Sequence, residues 1–447
     1  MKRCPRCRRD YYDDSLLYCL DDGTALLDGP RSGEEPTANF SEASTVLDAD
    51  RIATRPLGQK GDRDAEPGTD TPSSRRSRSL FPAVALGIVL VAAVSLAAVY
   101  WVKSQPAPEK KAVSQAAYDD YMRAKVLVGR QNKDDNQAGI KLLEDAVNQE
   151  PQYAAAWAML AQFYSVRAFY FAAATDERKQ LNDNAQVSVA KALAIDPNLA
   201  DAHLARGELL WTHDSRFQHE SAVQAYKRAI ELDPKLDEAH HQLALVYFHV
   251  GLFDKAEAEI AKALEINPAN SLARYRYAVI DMYRGKYDDA YSISQSTPLA
   301  QAPSLQASQG AMILFRLGRI DEAERTVDAY LSKYPRDEGG ISTSVKAMIL
   351  AKRGRADDAL AAILRAEELG QEFGHFHHTA YNIACVYVML GKPDKAVDYL
   401  QLAADDGFPC YPLFERDELL KGLSHDPRFI ALLARLKQQW DRYNTTL

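Results

Sequence analysis

The sequence predicts an all-α fold in which helical hairpins stack into a solenoid, behind a small head, a linker and one membrane helix. Three observations predict it. A proline-marked phrase recurs at intervals near 34 residues. A glycine–aspartate–alanine phrase keeps the same beat. The stretch Leu80 to Val102 carries no charge in 23 residues.

Composition sets the bounds. Of 447 residues, 47 % are apolar, ample for a core, and 54 Lys and Arg face 62 Asp and Glu for a net charge of −8. That balance argues against nucleic acid as the main partner. Five cysteines are too few and too scattered for a disulfide scaffold.

The head, residues 1–28, holds Cys4, Cys7 and Cys19. The turn of C-P-x-C lets two thiolates reach one ion, and many zinc ribbons close the tetrahedron with a second C-x-x-C. Here that last place holds Asp22, followed by Gly23. The segment resembles the short zinc-ribbon heads of bacterial membrane and signalling proteins, several of which share the C-x-x-D-G ending. The expected ligands are Cys4, Cys7, Cys19 and Asp22, with Asp21, a water or a partner's group as other candidates for the fourth. The Zn2+ would be structural, because four protein ligands leave no open position. A head this small would draw most of its folding energy from the metal.

Residues 29–79 are rich in Gly, Pro, Ser, Thr and charge, with no apolar period, and read as a disordered linker. Residues 80–102 match the ~30 Å hydrocarbon core as a single helix, with Tyr100 and Trp101 as an interfacial belt. Lys60, Arg63, Arg75, Arg76 and Arg78 precede the span, against Lys103, Lys110 and Lys111 after it. This bias puts the N-terminus in the cytoplasm and the large C-terminal part outside it. Residues 103–115 form a second linker.

Residues 116–406 carry the repeats. "AVNQEPQYAAAW", "ALAIDPNLADAH", "AIELDPKLDEAH" and "ALEINPANSLAR" place Pro151, Pro197, Pro234 and Pro268 between helices. The wider gaps before Pro197 and Pro234 imply insertions of about twelve and three residues on the 34-residue unit. Gly251, Gly285, Gly318, Gly354 and Gly391 each stand five residues before Ala256, Ala290, Ala323, Ala359 and Ala396. Glycine ends one helix, the following Asp suits the cap of the next, and alanine permits close helix approach. Acidic pairs such as Asp288–Asp289 and Asp357–Asp358 therefore read as capping residues. Pro298 and Pro303 should shorten the second helix of the unit at Gly285.

This pattern resembles the tetratricopeptide repeat family, over about eight helix pairs. The resemblance implies a superhelix whose concave face, lined by the first helix of each pair, holds a peptide or another protein. Helical phase puts Glu208, Trp211, His241, Leu245, Phe248, Tyr275, Val279, Met282, Met312 and Phe315 on that side, as apolar anchors or as packing between repeats.

Residues 407–447 read as a capping segment with an amphipathic helix, its apolar face made by Phe429, Leu432, Leu433 and Leu436. With "YNIACVYVMLGKPDKAVDYLQLAADDGF", this ending resembles bacterial proteins that join such repeats to kinase or cyclase domains. None of that catalytic machinery is found here: the sequence has no Gly-rich phosphate loop, H-R-D, D-F-G, G-x-S-x-G or H-E-x-x-H. His375, His377 and His378 could bind a metal, but read rather as surface residues at a helix start, since no carboxylate or cysteine completes a ligand set. His240 and His241 are adjacent and point to different faces. Cys385 reads as a small core residue, and a Cys385–Cys410 bond is an option outside the cytoplasm.

The expected protein is a non-enzymatic scaffold or adaptor, single-pass in a bacterial inner membrane. A second class is a transmembrane regulator whose basic head (Lys2, Arg3, Arg6, Arg8, Arg9) touches nucleic acid. A third is a non-catalytic relative of repeat-containing kinases.

Overall fold

The computed structural model describes strand residues 2–3, 10–11 and 27–28, and residues 113–447 apart from 129–131, 173–174, 301 and 371–373. Contacts divide the chain into two units. In the first, β1 (Lys2–Arg3) pairs antiparallel with β2 (Asp10–Tyr11) on one side and β3 (Leu27–Asp28) on the other. The expected metal ligands Cys4, Cys7, Cys19 and Asp22, and the span 80–102, lie outside the described residues. No described helix is long and apolar enough to cross a membrane.

The described residues of the second unit form helices and the turns between them. Eight antiparallel hairpins follow one another among the described residues: α1 (Gln115–Leu127) with α2 (Lys133–Gln149), α3 (Ala154–Tyr170) with α4 (Thr175–Ile195), α5 (Ala200–Leu210) with α6 (His219–Leu232), and α7 (Asp237–His249) with α8 (Phe253–Ile266). Then come α9 (Ser271–Tyr283) with α10 (Tyr287–Ser296), α11 (Pro303–Arg316) with α12 (Ile320–Lys333), α13 (Ile341–Lys352) with α14 (Ala356–Gly370), and α15 (Phe376–Met389) with α16 (Pro393–Asp405).

The repeated glycines make the turns. Gly251, Gly285, Gly318, Gly354 and Gly391 all have φ between 68° and 79°, the left-handed region. The residue after each closes a backbone bond to the carbonyl five positions back, as in Leu252 N to Tyr247 O at 2.8 Å and Lys392 N to Tyr387 O at 2.9 Å. That is the Schellman C-cap, which satisfies carbonyls the helix leaves unpaired. Between hairpins, the Asp or Asn before proline accepts from the amide two residues on. Asp233 Oδ1 takes Lys235 N at 2.9 Å, and Asn267 Oδ1 takes Ala269 N at 3.2 Å. The side chain thus makes the turn that proline's missing N–H cannot. The alanines five residues past the glycines are fully buried, so the paired helices touch there with only a methyl between them.

Three local expectations are refined. The aspartates after the glycines do not cap: the residue before each helix is Leu252, Lys286, Arg319 or Lys392, with no side-chain cap bond. Asp254, Asp288, Asp321 and Asp394 stand in the first turn instead, where carboxylates meet the positive end of the helix dipole. Two of them also reach the next hairpin, Asp254 to Arg284 and Asp321 to Arg353. The helix after Gly285 stops at Ser296 after 10 residues, and Pro303 opens the next helix at its first position. The larger insertion lengthens helices: α3 and α4 have 17 and 21 residues. The smaller one makes the loop Trp211–Gln218, where Arg216 and Phe217 take positive φ.

After α16 come α17 (Tyr411–Arg416), a 3₁₀ turn (Glu418–Leu423) and α18 (Pro427–Thr446). In α18 Phe429, Leu432 and Leu436 are buried and Leu433 packs partly against the same core. One apolar cluster runs from Leu204 to Leu447, while a second holds the first repeats from Ala117 to Ala205.

Candidate functional site

A stack of hairpins buries its flanks but leaves the hollow lined by the first helices exposed. Here, from the third hairpin onward, the chain's own last forty residues lie over that hollow. Gly407, at φ +100°, packs against the Phe217 ring. Phe408 is fully buried and meets His249, Tyr283, His378, Tyr381 and Phe414 at ring distances of 4.8 to 5.9 Å. Pro412 lies against Gly251, so close that a Cβ there would sit 2.5 Å from Pro412 Cδ. Helix α18 runs back over the third and fourth hairpins. Trp440 Nε1 donates to Gly251 O at 3.1 Å, Tyr247 hydroxyl to the Leu447 main-chain oxygen at 3.1 Å, and Lys255 Nζ to Asn444 O at 3.2 Å. Tyr443 stacks on His219, and Arg442 pairs with Glu220 at 3.2 Å.

The expected groove residues sit accordingly. Trp211, His241, Leu245, Phe248, Tyr275, Val279, Met282, Met312 and Phe315 are all buried, and Glu208 is half-buried. Phe248 stacks on Tyr283 at 4.9 Å, and its carbonyl lies against Cys410 Sγ. Trp211 packs edge-on against His249 at 4.7 Å. These side chains are core in this structure, not open anchors. Burial of Glu208 near Glu238 pushes its carboxyl up to about 8.

One lock fastens the cover. Asp417, whose side chain is wholly buried, takes both guanidinium nitrogens of Arg316, with Nη2 to Oδ2 at 2.7 Å, and the hydroxyl of Tyr381. Its Oδ1 also accepts from Leu419 N at 2.9 Å, which starts the 3₁₀ turn. Burial alone would raise the Asp417 carboxyl; Arg316 and Tyr381 outweigh it and hold the group below the usual range.

Beside the lock a cavity of about 300 Å³ remains, lined by Met282, Gln309, Met312, Arg316, Asn382 and Leu413 among others. Gln309 Oε1 is buried there without a hydrogen-bond partner.

The histidines overturn the surface reading. His377 is fully buried, and His375 and His378 are partly covered. Together with His249, which the sequence did not single out, each offers a ring nitrogen within 4.8 Å of the others. His240 and His241 do diverge: His240 Nδ1 meets Glu259 at 2.6 Å and His241 Nδ1 meets Glu238 at 3.4 Å. Cys385 and Cys410 are free buried thiols, not a disulfide, and burial pushes Cys410 up to about 12. Asp417 carried no chemical signal in "FERDELL" beyond that of a helix start, and Phe408 none in "DDGFPCY".

Comparison with known proteins bears on the repeats. Residues 218–251 match the family TPR repeat, and residues 237–270 and 309–372 match families described as tetratricopeptide repeat. The chain carries tetratricopeptide repeats. The human protein O-mannosyl-transferase TMTC3 is 23% identical over 236 residues, 52% of this chain and 21% of that protein. The mouse Superkiller complex protein 3 is 24% identical over 272 residues, 59% of this chain and 16% of that protein. The chain spans about a fifth or less of these relatives' lengths. Among solved structures, a tetratricopeptide repeat protein from Parabacteroides merdae shares 18% identity over 63% of this chain and 99% of its own, with a TM-score of 0.40.

Proposed function

We propose that this chain is a protein-binding scaffold, held to a bacterial inner membrane by residues 80–102, with a zinc-bearing head in the cytoplasm and the repeats beyond the membrane. The matched repeats support the scaffold role, since stacked hairpins offer a long surface to a protein partner. The uncharged stretch of 23 residues supports the anchor. The thiol spacing supports the head.

The observation that carries the binding reading is the cavity beside Arg316. Its volume of about 300 Å³ lies at the low end for ligand pockets, enough for one or two side chains rather than a length of helix. Methionines adapt to varied apolar shapes, and the free acceptor of Gln309 would fix a donor on the incoming segment. A partner therefore inserts an anchor at this point while the rest of the hollow stays filled by residues 407–447.

The test places a photo-crosslinking amino acid at Arg416, on the cavity rim and exposed, and separately at Leu364, exposed on α14 away from it. Irradiation of membranes should give one discrete protein adduct from position 416 and none from 364. Equal adducts from both positions, or none from 416, would remove the cavity from the account. A reporter fused after Leu447 tests the orientation, and activity in the cytoplasm would reverse it.

A further inference from the structure

We propose that His249, His375, His377 and His378 form a binding site for one divalent transition-metal ion, at the seam where the first half of the solenoid meets its end. It is separate from the thiol site expected in the head.

The case rests on where the bare nitrogens point. His377 Nδ1 lies 2.6 Å from the main-chain oxygen of Asp406, and His249 Nδ1 lies 2.7 Å from that of Leu245. A carbonyl only accepts, so in each neutral ring the proton sits on Nδ1 and Nε2 keeps its lone pair. Metal-binding imidazoles are oriented in this way by acceptors behind them. His377 Nε2 is buried with no hydrogen-bond partner, in a side chain with 0% exposure. Leaving such an atom unsatisfied costs free energy that an ion would remove. His249 Nε2 stands 3.0 Å from His378 Nε2. With His249 holding a lone pair there, His378 donates, and its Nδ1 faces the Tyr283 hydroxyl at 3.4 Å. A proton shift from Nε2 to Nδ1 would turn that hydroxyl into an acceptor and free a third lone pair for the same point. His375 supplies the fourth ring, its centroid 5.0 Å from that of His377.

The dimensions fit with small adjustment. Tetrahedral nitrogen ligands at about 2.0 Å from an ion are about 3.3 Å from one another. The four nitrogens here all lie within 4.8 Å, so one pair must open slightly and the wider ones close by rotation of the rings. An all-imidazole set suits zinc, copper, nickel or cobalt over magnesium or calcium. The surrounding charge is mixed. Arg276 bears on His375 and His378 unfavourably, while the Asp406 carboxylate, 3.6 Å from His377 Nδ1 and with a buried unpartnered Oδ2, stands behind the site as a counter-charge.

The experiment uses the full chain carrying Cys4→Ser and Cys7→Ser, so that thiolate binding in the head is removed. After exposure to zinc chloride and gel filtration, the protein should retain one zinc per chain and melt at a higher temperature than without zinc. Adding His377→Gln and His378→Gln should abolish both effects. Zinc retained equally by the histidine variant, or no zinc retained by the folded histidine-intact protein, overturns the site. Should the histidine variant fail to fold, zinc-edge X-ray absorption on the histidine-intact protein decides. A first shell of imidazole nitrogens is expected, and a shell of oxygen ligands overturns the proposal.

Discussion

The Arg316 guanidinium and the Asp417 carboxylate, 101 residues apart in the chain, face each other fork to fork with Nη2–Oδ2 at 2.7 Å. Arg316 ends the first helix of the sixth hairpin, and Asp417 opens the 3₁₀ turn of the covering segment. Breaking one side strands a buried charge. Arg316→Met should cost about 3–5 kcal/mol in urea unfolding. The pair Arg316→Met/Asp417→Leu should recover part of that, since no charge is left behind, although Leu419 N and Tyr381 still lose their acceptor. Strict additivity in the double-mutant cycle would show that the two groups do not interact.

The cover also predicts an inequality between two glycines. Gly391→Ala meets nothing within 4 Å and should cost only the left-handed strain, about 1 kcal/mol. Gly251→Ala adds a methyl 2.5 Å from Pro412 Cδ and should cost distinctly more. Equal midpoints for the two variants would mean that residues 410–412 do not lie on this turn in solution.

Thiol reactivity reads the cover directly. Cys410 is buried and raised to about 12, so at pH 8 it reacts only when the segment opens. Arg316→Met should speed its labelling about tenfold for each 1.4 kcal/mol lost from the closed form. Peptide mapping separates Cys410 from the other cysteines. An unchanged rate would uncouple the lock from the cover.

Glu208 gives a pH signature. Burial, and then the nearby Glu238, push its folded carboxyl up to about 8, well above the ordinary carboxylate range. The folded state thus holds a proton that the unfolded state releases between these values. Stability from this group is full below the unfolded value and is lost as pH rises through the folded one. Glu208→Gln should therefore raise the melting temperature by several degrees at pH 8 and change it little at pH 5. The same gain at both pH values would refute the assignment.

Within each hairpin the sequence determined the outcome by itself. Gly251, Pro234 and Ala256 each fix a backbone state or a helix spacing through contacts a few residues away, so their periodicity translated directly into turns and close-packed pairs. Even the truncated helix at Ser296 followed from Pro298 and Pro303. The fate of the hollow was decided only by the tertiary structure. Phe248 and Met312 lie on the apolar stripes helical phase assigned them, while Trp211 falls one residue past the end of α5, but whether a stripe stays open depends on what the superhelix brings opposite it. Phe408 to His249, Asp417 to Arg316 and Tyr443 to His219 are pairings set by the summed rotation of several hairpins. No single repeat encodes that rotation, so residues that looked like surface or groove met one another as core.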